Sequence, residues 1–235
     1  MSLKTLIMNE MTEKLADLKT TRTVEDVVGI MRDALNRQPI GSPPSLFTGS
    51  GVLTLYEMET WFHDPRRFLR SGGVEVLLDA MRHNRLETTT QIISLIIINW
   101  MLNSYEGNYS EQIGADVAET IVDNGGVHEV MAVMGVNIYD ERVQSEGLDF
   151  ISSLINPNEN SDVGVAEVIA GGGIAAVVEA MNAHVGNFEI EERCLGILRS
   201  LCSVGQDAII LMYEYGAVVS VIRAMGTPSR PASYA

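Results

Sequence analysis

A short glycine-led phrase occurs four times in this chain, and it leaves few folds open. Gly72-Gly73-Val74 leads to Met81, Gly125-Gly126-Val127 to Met134, Gly172-Gly173-Ile174 to Met181, and Gly216-Ala217-Val218 to Met225. Each time a β-branched residue follows the small pair and a methionine stands seven positions later. Seven positions are two turns of α-helix, so both side chains share one face. The copies start 53, 47 and 44 residues apart, and an insertion around Asn103 to Gln112 accounts for the long first interval. Self-similarity at such a period marks stacked helical units, each unable to bury its apolar face alone.

The sequence around the phrase supplies the rest of the unit. A short helix ends at the small pair, the phrase forms a second helix, and a longer third helix follows a polar turn. On this reading the copies span about 63–102, 113–155, 161–202 and 206–225, the last lacking its third helix. The third helices carry one apolar stripe each, Val143, Gly147, Leu148, Ile151 and Leu154 in one copy and Ile190, Cys194, Leu195, Leu198 and Leu201 in the next. The small member of the stripe, Ser94, Gly147 or Cys194, is expected to let a neighbouring helix approach closely.

Residues 1–62 read as an N-terminal helical cap or degenerate repeat. Leu3, Leu6, Ile7, Met11, Leu15 and Leu18 have helical spacing. Thr23 with Asp26 resembles an N-cap and its acid three residues on. Val24 and Met31 keep the seven-residue span without glycines, as a worn copy would. The glycines and prolines of 40–51 predict a loop, followed by a short helix over 52–62. Residues 226–235 are too rich in glycine, proline and serine for a helix and read as a flexible tail.

The chain is long enough, at 235 residues with 46% hydrophobic side chains, to bury a sizeable core. Its charge is lopsided: residues 101–235 hold five basic and nineteen acidic side chains. A field of that sign repels nucleic acid and anionic lipid and favours cationic partners. No apolar run reaches the length of a membrane span. The absence of an export pattern and a cysteine count of two predict a reduced, cytoplasmic compartment. His63, His83, His128 and His184 fall in different copies with no metal-ligand spacing. No nucleophile elbow or Cys–His pattern occurs, and the adjacent Glu191 and Glu192 point about 100° apart on a helix, so they form no acid–base pair. We therefore expect no catalytic residue, metal or cofactor.

The glycine pair, the Val/Ile–Met span and the third-helix stripe resemble the armadillo repeat family over about residues 60–225. The resemblance implies an all-α fold, a right-handed superhelical α-solenoid of three-helix repeats whose third helices line a concave groove. It implies a non-enzymatic scaffold or adaptor of eukaryotic type that binds an extended protein or peptide along that groove. In the family, a tryptophan and, four residues later, an asparagine recur on third helices. Here those positions hold Ile96 and Trp100, Asp149 and Ser153, and Gly196 and Ser200. The asparagine ladder is absent, so the import-receptor mechanism does not carry over.

A different lining is expected in its place. Ile96 and Trp100, one turn apart near Asn99 and Asn103, form an apolar anchor, with Ser145, Asp149, Ser153, Glu192, Gly196, Arg199 and Ser200 further along. An acidic lip beside an apolar anchor suits a protein or peptide that mixes apolar and basic residues. The fourth copy suggests an alternative role. Without a third helix, Val218, Val221, Ile222 and Met225 lack neighbours that earlier copies have, which makes them candidates for tethering or a homodimer contact.

Overall fold

The computed structural model describes residues 23–37, 46–57, 64–103, 110–156 and 162–226, and among them there are thirteen helices and no strand. The expected helix over 1–20, the proline-rich part of the expected loop, His63 and the tail beyond Gly226 lie outside the described residues. In order the helices are α1 (Val24–Arg37), α2 (Leu46–Glu57), α3 (Pro65–Arg70), α4 (Gly73–His83), α5 (Thr88–Leu102), α6 (Ser110–Asp123) and α7 (Gly126–Val136). There follow α8 (Glu141–Leu154), α9 (Asp162–Ala170), α10 (Gly173–Ala183), α11 (Phe188–Cys202), α12 (Gln206–Glu214) and α13 (Ala217–Gly226). Each helix from α3 on begins within three residues of where the sequence pattern puts it.

The chain divides into two compact units, Met1–Glu129 and Val130–Ala235, with the division inside α7. In the first, α2 packs along α5 and α1 along α4, around Met31, Leu55, Phe68, Leu77, Leu95 and Ile98. In the second, α8 packs along α11, and α10 against α11, around Val133, Leu148, Phe150, Ile151, Val177 and Ile197.

The two small residues of each phrase have separate jobs. Gly172 turns the chain from α9 into α10 with φ +86, a left-handed conformation that costs any residue with a Cβ about 1–2 kcal/mol. Gly173 has an ordinary backbone but no room: a Cβ there would stand 2.5 Å from Val168 Cγ1 and 2.8 Å from its carbonyl oxygen. The residue five back plays the same part elsewhere, Phe68 against Gly73 and Ile121 against Gly126. In the fourth copy that residue is Met212, a flexible side chain, and the glycine is replaced by Ala217.

The methionine of the phrase is buried in the first three copies, where Met81, Met134 and Met181 are at most 2% exposed. Met134 lies over Gly147, whose missing Cβ would otherwise fall 2.6 Å from the thioether. Cys194 occupies the matching position in α11 and its thiol donates to the carbonyl of Val177 at 3.5 Å. The small residue of the third-helix stripe thus seats the second helix of its own copy.

The same contact corrects the expected loop. The helix after it begins at Leu46, not Val52, and ends at Glu57. Gly51 lies inside α2, where a Cβ would stand 2.8 Å from Met31 Cγ. Glycine here is a close-packing residue rather than a helix breaker. α1 and α2 therefore reproduce the second and third helices of a copy, with Met31 and Gly51 in the places of Met134 and Gly147.

Helix starts follow capping chemistry. Asp64 accepts from the Arg67 N–H at 3.0 Å ahead of Pro65, and Asp140 accepts from the N–H groups of Arg142 and Val143 at 3.1 Å each. Glu87 and Asn187 serve α5 and α11 in the same way. Thr23 and Asp26 are joined as expected, the Thr23 N–H donating to Asp26 Oδ2 at 3.1 Å.

One recurring polar device has no counterpart in the sequence reading. Gln91 Nε2 donates to the carbonyls of Met81 and Asn84 at 3.2 and 2.7 Å. Gln144 Nε2 donates to those of Met134 and Asn137 at 2.8 and 3.1 Å. Both side chains are fully buried, and both close the open carbonyl end of a second helix. At the matching position of the third copy stands Glu191, buried too, which instead accepts from the Gly186 N–H at 2.9 Å.

Candidate partner-binding surfaces

In the first unit the candidate residues sit on α5, a helix buried over most of its circumference. From Thr90 to Leu102 only Ile93, Ile96 and Trp100 reach solvent, each half-buried. Their spacing of three and four makes one strip along the helix. Asn99, expected beside them, is buried instead, and its carbonyl accepts from Asn103 Nδ2 at 2.7 Å. Asn103 itself is exposed just past the helix end.

In the second unit the equivalent strip is polar. Asp149 on α8 forms a two-pronged ion pair with Arg193 on α11, at 2.8 Å to Nε and 3.3 Å to Nη2, and Glu189 holds Arg193 Nη1 at 2.8 Å. Asp149 beside the guanidinium raises the Arg193 pKa further above its ordinary value. Ser153 is buried, its hydroxyl donating to the Asp149 carbonyl at 2.9 Å, and so stands behind the surface it was expected to line. Glu192, Gly196 and Arg199 are exposed and Ser200 is half-buried. No atom outside the helix backbone comes within 4 Å of where a Cβ on Gly196 would be.

Ser145 lines a shallow cleft of about 220 Å³ between the N-terminal turns of α8 and α11, with Glu141, Arg142, Glu146 and Glu189 around it. Three carboxylates against one guanidinium make that cleft suited to a basic side chain. The adjacent glutamates separate as helical geometry requires: Glu191 is buried and Glu192 exposed.

No family model, curated protein or solved structure matches the chain.

Among the described residues no three His, Cys, Asp or Glu side chains are grouped to hold a metal ion. His83 Nδ1 lies 2.8 Å from the Asp79 carbonyl, and His184 caps α10 with Nε2 2.7 Å from the Ile138 carbonyl. Among the described residues no single helix is long and apolar enough to cross a membrane.

The two cysteines differ in environment. Burial pushes the Cys194 thiol up to about 12, from an ordinary 9.0, whereas Cys202 is exposed. A thiol reagent at pH 8 is therefore expected to titrate one group in the native protein and two in guanidinium chloride. Two reactive thiols in the native state would contradict the packing of α11 on α10. The folded-state pKa is raised, so the associated stability is complete below pH 9, where both states keep the proton. It is lost as pH rises toward about 12, because only the unfolded chain forms the thiolate.

Proposed function

We propose that this chain is a non-enzymatic, armadillo-like adaptor whose third helices present a binding surface for a protein or peptide segment. The observation that carries the reading is the strip Ile93–Ile96–Trp100 on α5. Isolated apolar side chains on a surface are ordinary, but three in a row on the one accessible strip of a helix is the pattern of a contact surface. The recurrence of Gly-Gly turns, seated methionines and carbonyl-closing glutamines in successive copies supports the repeat architecture. Within the second unit, the carboxylate-lined cleft on α8 and α11 favours basic side chains in a ligand, as does the acidic balance of residues 101–235.

A displayed library of random 12-residue peptides tests this directly. The reading expects selected peptides to be rich in aromatic, aliphatic and basic residues. Trp100→Ala should weaken their binding by ~30-fold, equivalent to about 2 kcal/mol for a central anchor, with helical content unchanged. Selection of no common pattern, or binding indifferent to Trp100→Ala, would sink it.

A further inference from the structure

The fourth copy exposes what the other three bury. Val218 matches Val74, Val127 and Ile174, each at most 1% exposed, yet Val218 is 54% exposed. Met225 matches Met81, Met134 and Met181 and is 78% exposed. Ile222 is 65% exposed where Leu78 and Val178 are buried. Val219, the residue after Val218 on α13, is 60% exposed as well. Val218, Val219, Ile222 and Met225 are each more than half exposed, so α13 presents an apolar face to solvent.

We propose that this face is a homodimer contact in which α13 of one chain packs antiparallel on α13 of a second copy. Two features of α13 suit a second copy as the occupant. The first is spacing. Positions 218, 221, 222 and 225 are symmetric about the point between Val221 and Ile222. A two-fold axis there sets the small Val218 against the large Met225 of its partner and brings the central pair together, so the surface complements itself.

The second feature is charge. Although the C-terminal half of the chain is strongly acidic, α13 carries no carboxylate. Its one charged residue, Arg223, donates to Asn182 Oδ1 at 2.8 Å and so is held toward α10. Two acidic chains meet here without setting carboxylate against carboxylate along the helix pair. This proposal is independent of the α5 surface, which lies in the other compact unit.

The test is sedimentation equilibrium of the full chain across a concentration series, with wild type, Ile222→Asp and Met225→Lys compared. Wild type is expected to dimerise, and Ile222→Asp to raise the dimer dissociation constant by at least ~30-fold with unchanged helical circular dichroism. Met225→Lys, at a site with little to unfold, keeps the comparison usable if Ile222→Asp loses structure. In a Cys202→Ser background, oxidation should link Ile222→Cys chains to each other. Val218→Cys should link efficiently only to Met225→Cys. A wild type that stays monomeric throughout, as when the tail or another protein covers the face, overturns the proposal. So does a dimer that both charged variants leave intact, or one that links Val218→Cys to itself.

Discussion

Gly173→Ala should lower the stability of the unit that contains it by about 2–3 kcal/mol, although it adds a single methyl group. In a unit of about 100 residues that is a fall of roughly 9–13 °C in the unfolding midpoint. The added Cβ would meet the Val168 carbonyl oxygen at 2.8 Å as well as Val168 Cγ1 at 2.5 Å. A flexible residue eases such a clash by a rotamer change, but valine is stiff at χ1 and the backbone oxygen has no rotamer. Relief therefore requires α9 and α10 to move apart, which opens the core around Ile174 and Val177. Ala217→Gly supplies the contrast, because the native chain already carries a Cβ at that position. That reverse change should cost less than about 1 kcal/mol, the ordinary backbone penalty of glycine in a helix. Equal effects at the two sites would show that the second small residue is not a packing device.

The same pair of glycines explains why so much of the fold was legible. A left-handed turn and an absent Cβ are requirements that only glycine meets, so they stand out in a bare sequence. The helix start at Thr23 was equally plain, since Asp26 three residues on accepts from the Thr23 N–H. Gly51 was misread because glycine as a breaker and glycine as a contact look identical until Met31 is seen beside it. Gln91 and Gln144 passed unnoticed because a polar residue within an apolar stripe reads as noise. The signal was present: each follows its phrase's β-branched start by seventeen residues.

The binding surface was less legible for a physical reason. Periodicity tells which face a residue is on, but a short polar side chain at the edge of a face has two stable fates. Ser153 illustrates the second, since its hydroxyl bonds to the carbonyl one turn back and needs no water. Trp100 is half-buried on α5, in one strip with Ile93 and Ile96.

The other large effect expected is at Arg85, and its asymmetry is the informative part. Arg85 grips Glu129 with two bonds, Nε at 2.9 Å and Nη2 at 2.7 Å, and Arg82 Nε stands 3.8 Å from the same carboxylate. The carboxylate is 3% exposed, whereas Arg85 is 47% exposed. Removing the guanidinium strands a charge that cannot reach water, while removing the carboxylate frees a guanidinium that can. Arg85→Ala should thus cost about 2–3 kcal/mol, below the ~3–5 kcal/mol of a fully buried pair because Arg82 remains nearby. Glu129→Gln should cost about 1 kcal/mol or less, and Arg85→Ala with Glu129→Leu should recover most of the loss, since an apolar side chain then fills the buried site. Urea unfolding of the three variants measures these differences. Equal single-mutant losses would mean that Arg85 contributes through packing of its stem along α7 rather than by neutralising Glu129.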